Sequence, residues 1–134
     1  MRERKRKSLD YSRAQRERKE LQRLMEDLGD CVVMVEGKKD SEAVHRYVEG
    51  VIEVAGRPRH ACEKAARSGA LEVTVLTDLD ERGNELADEL SSELRSHGVK
   101  ADTRLRRRIG RLLGISQMEN FERKYKKRLE ETRI

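Results

Sequence analysis

Short apolar runs alternate with helical patterns along this chain, and that alternation limits the folds open to it. "CVVMV" (31–35) and "LEVTVL" (71–76) are compact β-prone runs, and "VIEVA" (51–55) is a shorter one. In "CVVMV" the apolar run is continuous, with no polar residue at every second place, which fits a strand buried on both faces, as parallel sheets require. Between them, "SEAVHRYVEG" reads as a helix with Ala43, Val44 and Tyr47 on one side, and "HACEKAARSG" as a short helix. "GNELADELSSELRSHG" carries Leu86, Leu90 and Leu94 at i+4 spacing and ends at Gly98. Strands are therefore expected over 31–37, 51–56 and 71–78, with a fourth over 99–105 ("VKADTRL"). The β-α-β-α-β-α-β order predicts an α/β fold: a Rossmann-like, mostly parallel four-stranded sheet with helices on both faces.

Two charged flanks surround this core. Residues 1–29 read as a helix whose first part is nearly all polar; Leu21, Leu24, Met25 and Leu28 then form an apolar stripe at i, i+3, i+4 and i+7, and Gly29 ends it. Residues 106–134 hold a basic cluster, a turn at Gly114 and a final charged helix. The expected organisation is thus a charged N-terminal helix (1–29), a core (30–105) and a basic helical tail (106–134) within one domain. The flanking helices either cover the sheet edges or pair with a second chain.

Charged residues make up 43% of the 134 residues, which alone would be compatible with disorder. The clustering of the apolar residues argues for a folded core. The net charge of +5 favours a polyanionic partner. Arg106, Arg107 and Arg108, with Arg104 and Arg111 beside them, are candidate nucleic-acid phosphate contacts, and "RERKRK" at the N-terminus is a candidate electrostatic arm. Cys31 and Cys62 form no CxxC pair, so they are read as reduced buried thiols rather than zinc ligands. No apolar window approaches a membrane span and no leader pattern follows Met1, so the expectation is a cytoplasmic protein without a membrane partner.

The chemistry concentrates at two places. Glu36 closes the first strand, and "VLTDLDERG" puts Asp78 and Asp80 at the end of the third. Active groups of open α/β sheets gather at the carboxyl ends of strands. In extended backbone, residues i and i+2 point the same way, so Asp78 and Asp80 are expected to converge, joined by Glu36 if the first and third strands are neighbours. Carboxylates held together repel, and a hard divalent cation such as Mg²⁺ relieves the repulsion. Lys38, Lys39 and Arg82 are placed to neutralise substrate phosphates. Asp40 and Ser41 read as helix-capping residues, and Ser116 with Glu119 as a capping box.

"VVMVEGKKD" together with "VLTDLDERG" resembles the Toprim domain, shared by topoisomerases, bacterial primases, certain nucleases and a small ribonuclease that matures ribosomal RNA. The resemblance covers residues 30–105, and the size is similar to small stand-alone archaeal Toprim proteins. It implies that the family's Glu falls on Glu36 and its aspartates on Asp78 and Asp80, as metal-holding and candidate catalytic groups, with Mg²⁺ as cofactor. Where type IA topoisomerases carry a third acid, this chain has Arg82, which departs from a two-metal pattern. The expected function is Mg²⁺-dependent cleavage of phosphodiester bonds in structured RNA. The alternative is a non-catalytic module that holds metal and nucleic acid within an RNA-processing or DNA-repair complex. RNA is favoured over DNA as the partner, although no aromatic stacking platform selects it. A receiver-like or phosphatase-like fold ranks third, because "VKADTRL" offers Thr103 but no Lys at its end.

Overall fold

The computed structural model describes the backbone of residues 2–133 and the side chains of residues 10–133. Helix α1 (Arg2–Gly29) leads into strand β1 (Val32–Val35), and α2 (Lys38–Val44), extended by a 3-10 turn, returns to β2 (Gly50–Glu53). Helix α3 (Pro58–Arg67), β3 (Glu72–Val75), α4 (Glu81–Ser96) and β4 (Lys100–Asp102) complete the alternation. Helix α5 (Arg104–Leu113), a 3-10 turn over Met118–Asn120 and α6 (Phe121–Glu131) follow. The expected fold class is the one observed: an α/β, Rossmann-like fold whose four strands are all parallel, in the order β2-β1-β3-β4.

The apolar runs form strands because both faces of the sheet are covered. Val33 and Val35 face one core layer, with Leu21, Leu24 and Leu28 of α1 and Ile109 and Leu113 of α5. Met34, between them, faces the other layer, with Ala61 and Cys62 of α3 and Leu90 and Leu94 of α4. That inversion at each residue is the period-two pleat, and it explains why no position in "VVMV" can be polar. The flanking helices α1, α5 and α6 do not cover the sheet edges, as one of the expectations had it. Their apolar residues, Phe121 and Met118 among them, sit in the first of these layers. Tyr47, Phe121 and Tyr125 pack together, ring centroids 5.4–6.3 Å apart. No described helix is long and apolar enough to cross a membrane.

Several boundaries move. Gly50, expected to close a helix, opens β2, and the fourth strand ends at Asp102 rather than at residue 105. The basic cluster that follows is the helix α5, closed by Gly114 in the left-handed conformation (φ 65°). The side chains of the "RERKRK" arm lie outside the described residues.

The strand order positions the site. From β1 the chain crosses through α2 to β2 on one side; from β3 it crosses through α4 to β4 on the other. Helices α2 and α4 pack on opposite faces. A crevice therefore opens beyond the carboxyl ends of β1 and β3, which is where ligands bind in open α/β sheets.

Candidate metal centre

Glu36 and Asp78 follow the two central strands, and the pairing of β1 with β3 brings them together. The Asp78 backbone N–H donates to Glu36 Oε2 at 3.0 Å. The third acid in this group is Asp40, not Asp80: carboxylate oxygens of Glu36, Asp40 and Asp78 all lie within 4.8 Å of one another. Asp40 reaches the site from the first turn of α2, four residues after Glu36, and is only 8% exposed. Its carboxylate also accepts the Gly37 backbone N–H at 3.1 Å, so the expected capping role is present alongside its place among the acids.

Asp80 turns away to another task. It is the N-cap of α4, and its Oδ1 accepts the Gly83 N–H at 2.7 Å. The alternation argument for Asp78 and Asp80 fails because β3 ends at Val75, so the extended geometry it assumes does not continue through the "DLD". Gly83 is required by close approach. A Cβ there would lie 1.8 Å from the Asp78 carbonyl oxygen. Gly83→Ala is therefore expected to destabilise the chain by about 1–3 kcal/mol through overpacking, although alanine is ordinarily the better helix residue. A denaturant midpoint checks this, and an unchanged or raised midpoint would contradict the contact.

The loop after α5 docks on the same place. Met118 N–H donates to Asp78 Oδ1 at 2.9 Å, and Leu79 N–H donates to Ser116 O. The expected capping box is not formed: α6 begins only at Phe121, and Ser116 offers its carbonyl to Leu79. Gln117 and Glu119 instead join Glu36, Asp40 and Asp78 around a cavity of about 440 Å³, with Lys38 and Lys39 at its rim. Both lysines are exposed in the first turn of α2, as a phosphate-facing role needs.

The three consecutive arginines have three different fates. Arg106 is 3% exposed, a correction to its expected phosphate role. It donates to Thr77 O at 2.8 Å, to Asn84 Oδ1 at 2.6 Å and to Asp78 O, tying the β3 end to α4 from beneath. Arg108 pairs with Asp27 of α1. Arg107 faces solvent, as do Arg104 and Arg111, and Arg104 pairs with Asp102 at 3.4 Å. Arg82 is exposed at the start of α4 and borders a neighbouring cavity.

Electrostatics set these acids against one another. Burial raises the Glu36 carboxyl above its ordinary value, and the charges of Asp78 and Asp40 add to this. Burial also raises Asp40, with Asp78 and Glu119 contributing, against the lowering effect of the Gly37 N–H. Arg106 is pulled down by burial and by Arg107 and held up by Glu36, Asp80 and Asp78. Its guanidinium remains charged. Raised carboxyls bind protons more tightly in the folded chain than in the unfolded one. Their contribution to stability is thus greatest in acid and is lost as pH rises through the raised values. In the presence of EDTA, Asp40→Asn is expected to raise Tm near pH 7, by an amount that shrinks toward about pH 4. A gain independent of pH would show that these charges do not carry the repulsion.

The oxygen-only donor set, partly buried, mutually repelling and open to a polar cavity, fits a hard divalent cation such as Mg²⁺. Asp40 was legible only as a cap, although its position four residues after Glu36 on a helix start was a usable signal. The Gln117–Glu119 loop offered one usable signal, the acid Glu119 in the segment after the last strand, which the capping-box reading outweighed.

No family model matches the chain. It is 34% identical over 119 residues to a UPF0292 protein of Methanosarcina barkeri, covering 81% of this chain and 82% of that one. A UPF0292 protein of Methanocaldococcus jannaschii is 38% identical over 80 residues, covering 58% of this chain and 62% of the other. A solved structure from Aquifex aeolicus superposes with a TM-score of 0.63 at 23% identity, over 74% of this chain and 95% of that one, a likeness of fold.

Proposed function

The chain belongs to the UPF0292 family, and we propose that it is a Mg²⁺-dependent protein of the Toprim kind that acts in the cytoplasm on nucleic acid, cleaving phosphodiester bonds in structured RNA. The observation that carries the reading is the meeting of Glu36, Asp40 and Asp78 at the switch point between β1 and β3. The Glu and the first Asp of the Toprim pattern are two of these three. Net charge of +5 and the exposed Lys38 and Lys39 at the cavity rim agree with a polyanionic substrate.

In this reading Asp78, Asp40 and Glu36 hold the cation. A bound Mg²⁺ would polarise a phosphoryl oxygen and stabilise charge on the attacking and leaving oxygens. Glu36 completes that ligand set or, uncoordinated, moves a proton. Asp78 keeps its orientation through the Met118 N–H and the Arg106 contact to its carbonyl. Lys38 and Lys39 meet non-bridging phosphate oxygens as point charges. Asp80 contributes by capping α4, which fixes the Gly83 turn against Asp78.

A second reading, binding without cleavage as part of a larger complex, draws on one observation. Asp80 is committed to the cap and Arg82 stands at the third-acid place, so a second metal lacks ligands. The test is incubation of the protein with labelled structured RNA, single-stranded DNA and duplex DNA, with Mg²⁺, Mn²⁺ or EDTA. Metal-dependent cutting of the RNA that disappears in Glu36→Gln is the expected result. Metal-dependent binding without cutting would favour the second reading. Cutting that persists in Glu36→Gln or in EDTA would refute the assigned site.

A further inference from the structure

Glu36 is a wall common to two cavities. One is the acid-lined cavity already described; the other, of about 410 Å³, lies between the start of α3 and the N-terminal half of α4. Its floor is apolar: Val54 at the end of β2, Pro58 at the start of α3 and Leu86 of α4. Its polar groups are Arg82, Glu85 and Glu89, which share one face of α4 with Leu86 at i, i+3, i+4 and i+7 spacing. Among the described residues, Arg82 takes part in no ion pair, and neither do Glu85 and Glu89. A partly open apolar floor with a few polar groups along its exposed rim is the make-up of a site for a small organic ligand, and this volume lies in the usual range.

The wall beside Glu36 is a tight turn. Ala55 holds a left-handed φ of 50° and Gly56 one of 73°. The turn is pinned by Ala55 N–H donating to Glu36 O at 3.0 Å and Arg57 N–H donating to Val54 O at 2.9 Å. The same backbone therefore fixes Glu36 and the cavity rim. A ligand in this cavity is held in register with whatever the acids bind.

We infer that this cavity seats a nucleobase of the substrate, one bearing an exocyclic amino group, beside the phosphate held at the acids. The inference deepens the function proposed above and rests on it for the position of the phosphate. The floor takes the base by apolar contact. The Arg82 guanidinium stacks on its open face, a usual partner of unstacked bases. Glu85 and Glu89 are acceptors only, so they pair with an amino group and repel a carbonyl edge. Adenine and cytosine meet that demand and uracil does not.

The test is an amide NMR titration of the full chain with adenosine, cytidine and uridine in EDTA. Nucleosides carry no phosphate, so the acids and their cation play no part. Saturable shifts at Gly56 and Leu86 are expected with adenosine and cytidine, with at least about fivefold weaker binding of uridine. The surface variant Glu85→Gln/Glu89→Gln is expected to erase that preference. Leu86→Trp, which fills the cavity, is expected to abolish the shifts. Mn²⁺ affinity is measured separately without nucleoside, and Leu86→Trp leaves it unchanged. Absence of saturable shifts at Gly56 and Leu86, or equal binding of the three nucleosides, would overturn the inference. Mn²⁺ binding without nucleoside binding would sink the base seat alone. Nucleoside binding without Mn²⁺ binding would keep the seat and sink the metal reading.

Discussion

Arg106→Ala is expected to lower stability by about 3–5 kcal/mol, because it strips a buried guanidinium from neutral acceptors that lose their partners and leaves a cavity. The variant removes all three donations and leaves Thr77 O and Asp78 O facing a void, while the exposed Asn84 amide can turn to water. A buried acceptor left without a partner costs more than the hydrogen bond was worth, because the group has lost water as well. For a domain near this size the loss corresponds to a fall in Tm of more than roughly 10 °C. Arg106→Lys keeps the charge but cannot fork to three acceptors, so it recovers only part of the loss. Thermal or urea denaturation measures this directly. If Arg106 were instead a phosphate contact, the alanine variant would melt like the parent and lose nucleic-acid affinity, a pattern that would contradict the buried geometry. Arg107→Ala, one residue away but exposed, is expected to change stability by less than about 0.5 kcal/mol.

On the proposed function, Asp78→Asn is expected to abolish measurable Mg²⁺ and Mn²⁺ binding, or to weaken it by at least about a hundredfold, with cleavage falling in step. Asp78 is the acid at the centre of the network. Its N–H meets Glu36, its Oδ1 takes the Met118 N–H and its carbonyl meets Arg106. Asparagine keeps the shape and the Met118 contact, so the fold should survive while one ligand charge is lost. The thermodynamic signature is a differential one. Divalent cation at ten times its Kd stabilises the parent by about 1.4 kcal/mol through mass action, and the same addition should not stabilise Asp78→Asn. Asp80→Asn separates the two aspartates. Its amide oxygen can still cap α4, so metal binding is expected to stay within about threefold of the parent. Equal losses in Asp78→Asn and Asp80→Asn would return Asp80 to the metal site and refute the division of labour drawn here.

The legible and the illegible parts of this protein divide along a physical line. Local pattern determined the element types. "VVMV" is apolar throughout because both sheet faces are covered, and in "EVTV" the same requirement buries Val73 and Val75, while Glu72 at the strand start stays exposed. The same alternation implied parallel strands, and strand ends marked Glu36 and Asp78 as neighbours once β1 lay beside β3. What sequence could not separate were residues of one type whose roles depend on rotation about a helix or on where a strand stops. "RRR" reads as one basic cluster. A turn of about 100° per residue on α5 sends Arg106 under the β3 end, Arg108 to Asp27 of α1 and Arg107 into solvent.

The "DLD" gives the same lesson from the other side. Two aspartates with one residue between them look equivalent, yet β3 has ended before them, and α4 must be capped. Asp80 satisfies an orphan N–H of that helix while Asp78 turns to the crevice. Asp40 shows the reverse case, a residue whose capping contact and place among the acids are both satisfied by one carboxylate. The sequence by itself determined the β-α alternation, the layered core and two of the three clustered acids, because these follow from periodicity and strand ends. The tertiary structure decided which arginine is buried, which aspartate caps and which loop closes over the acids, because those depend on contacts between elements far apart in the chain.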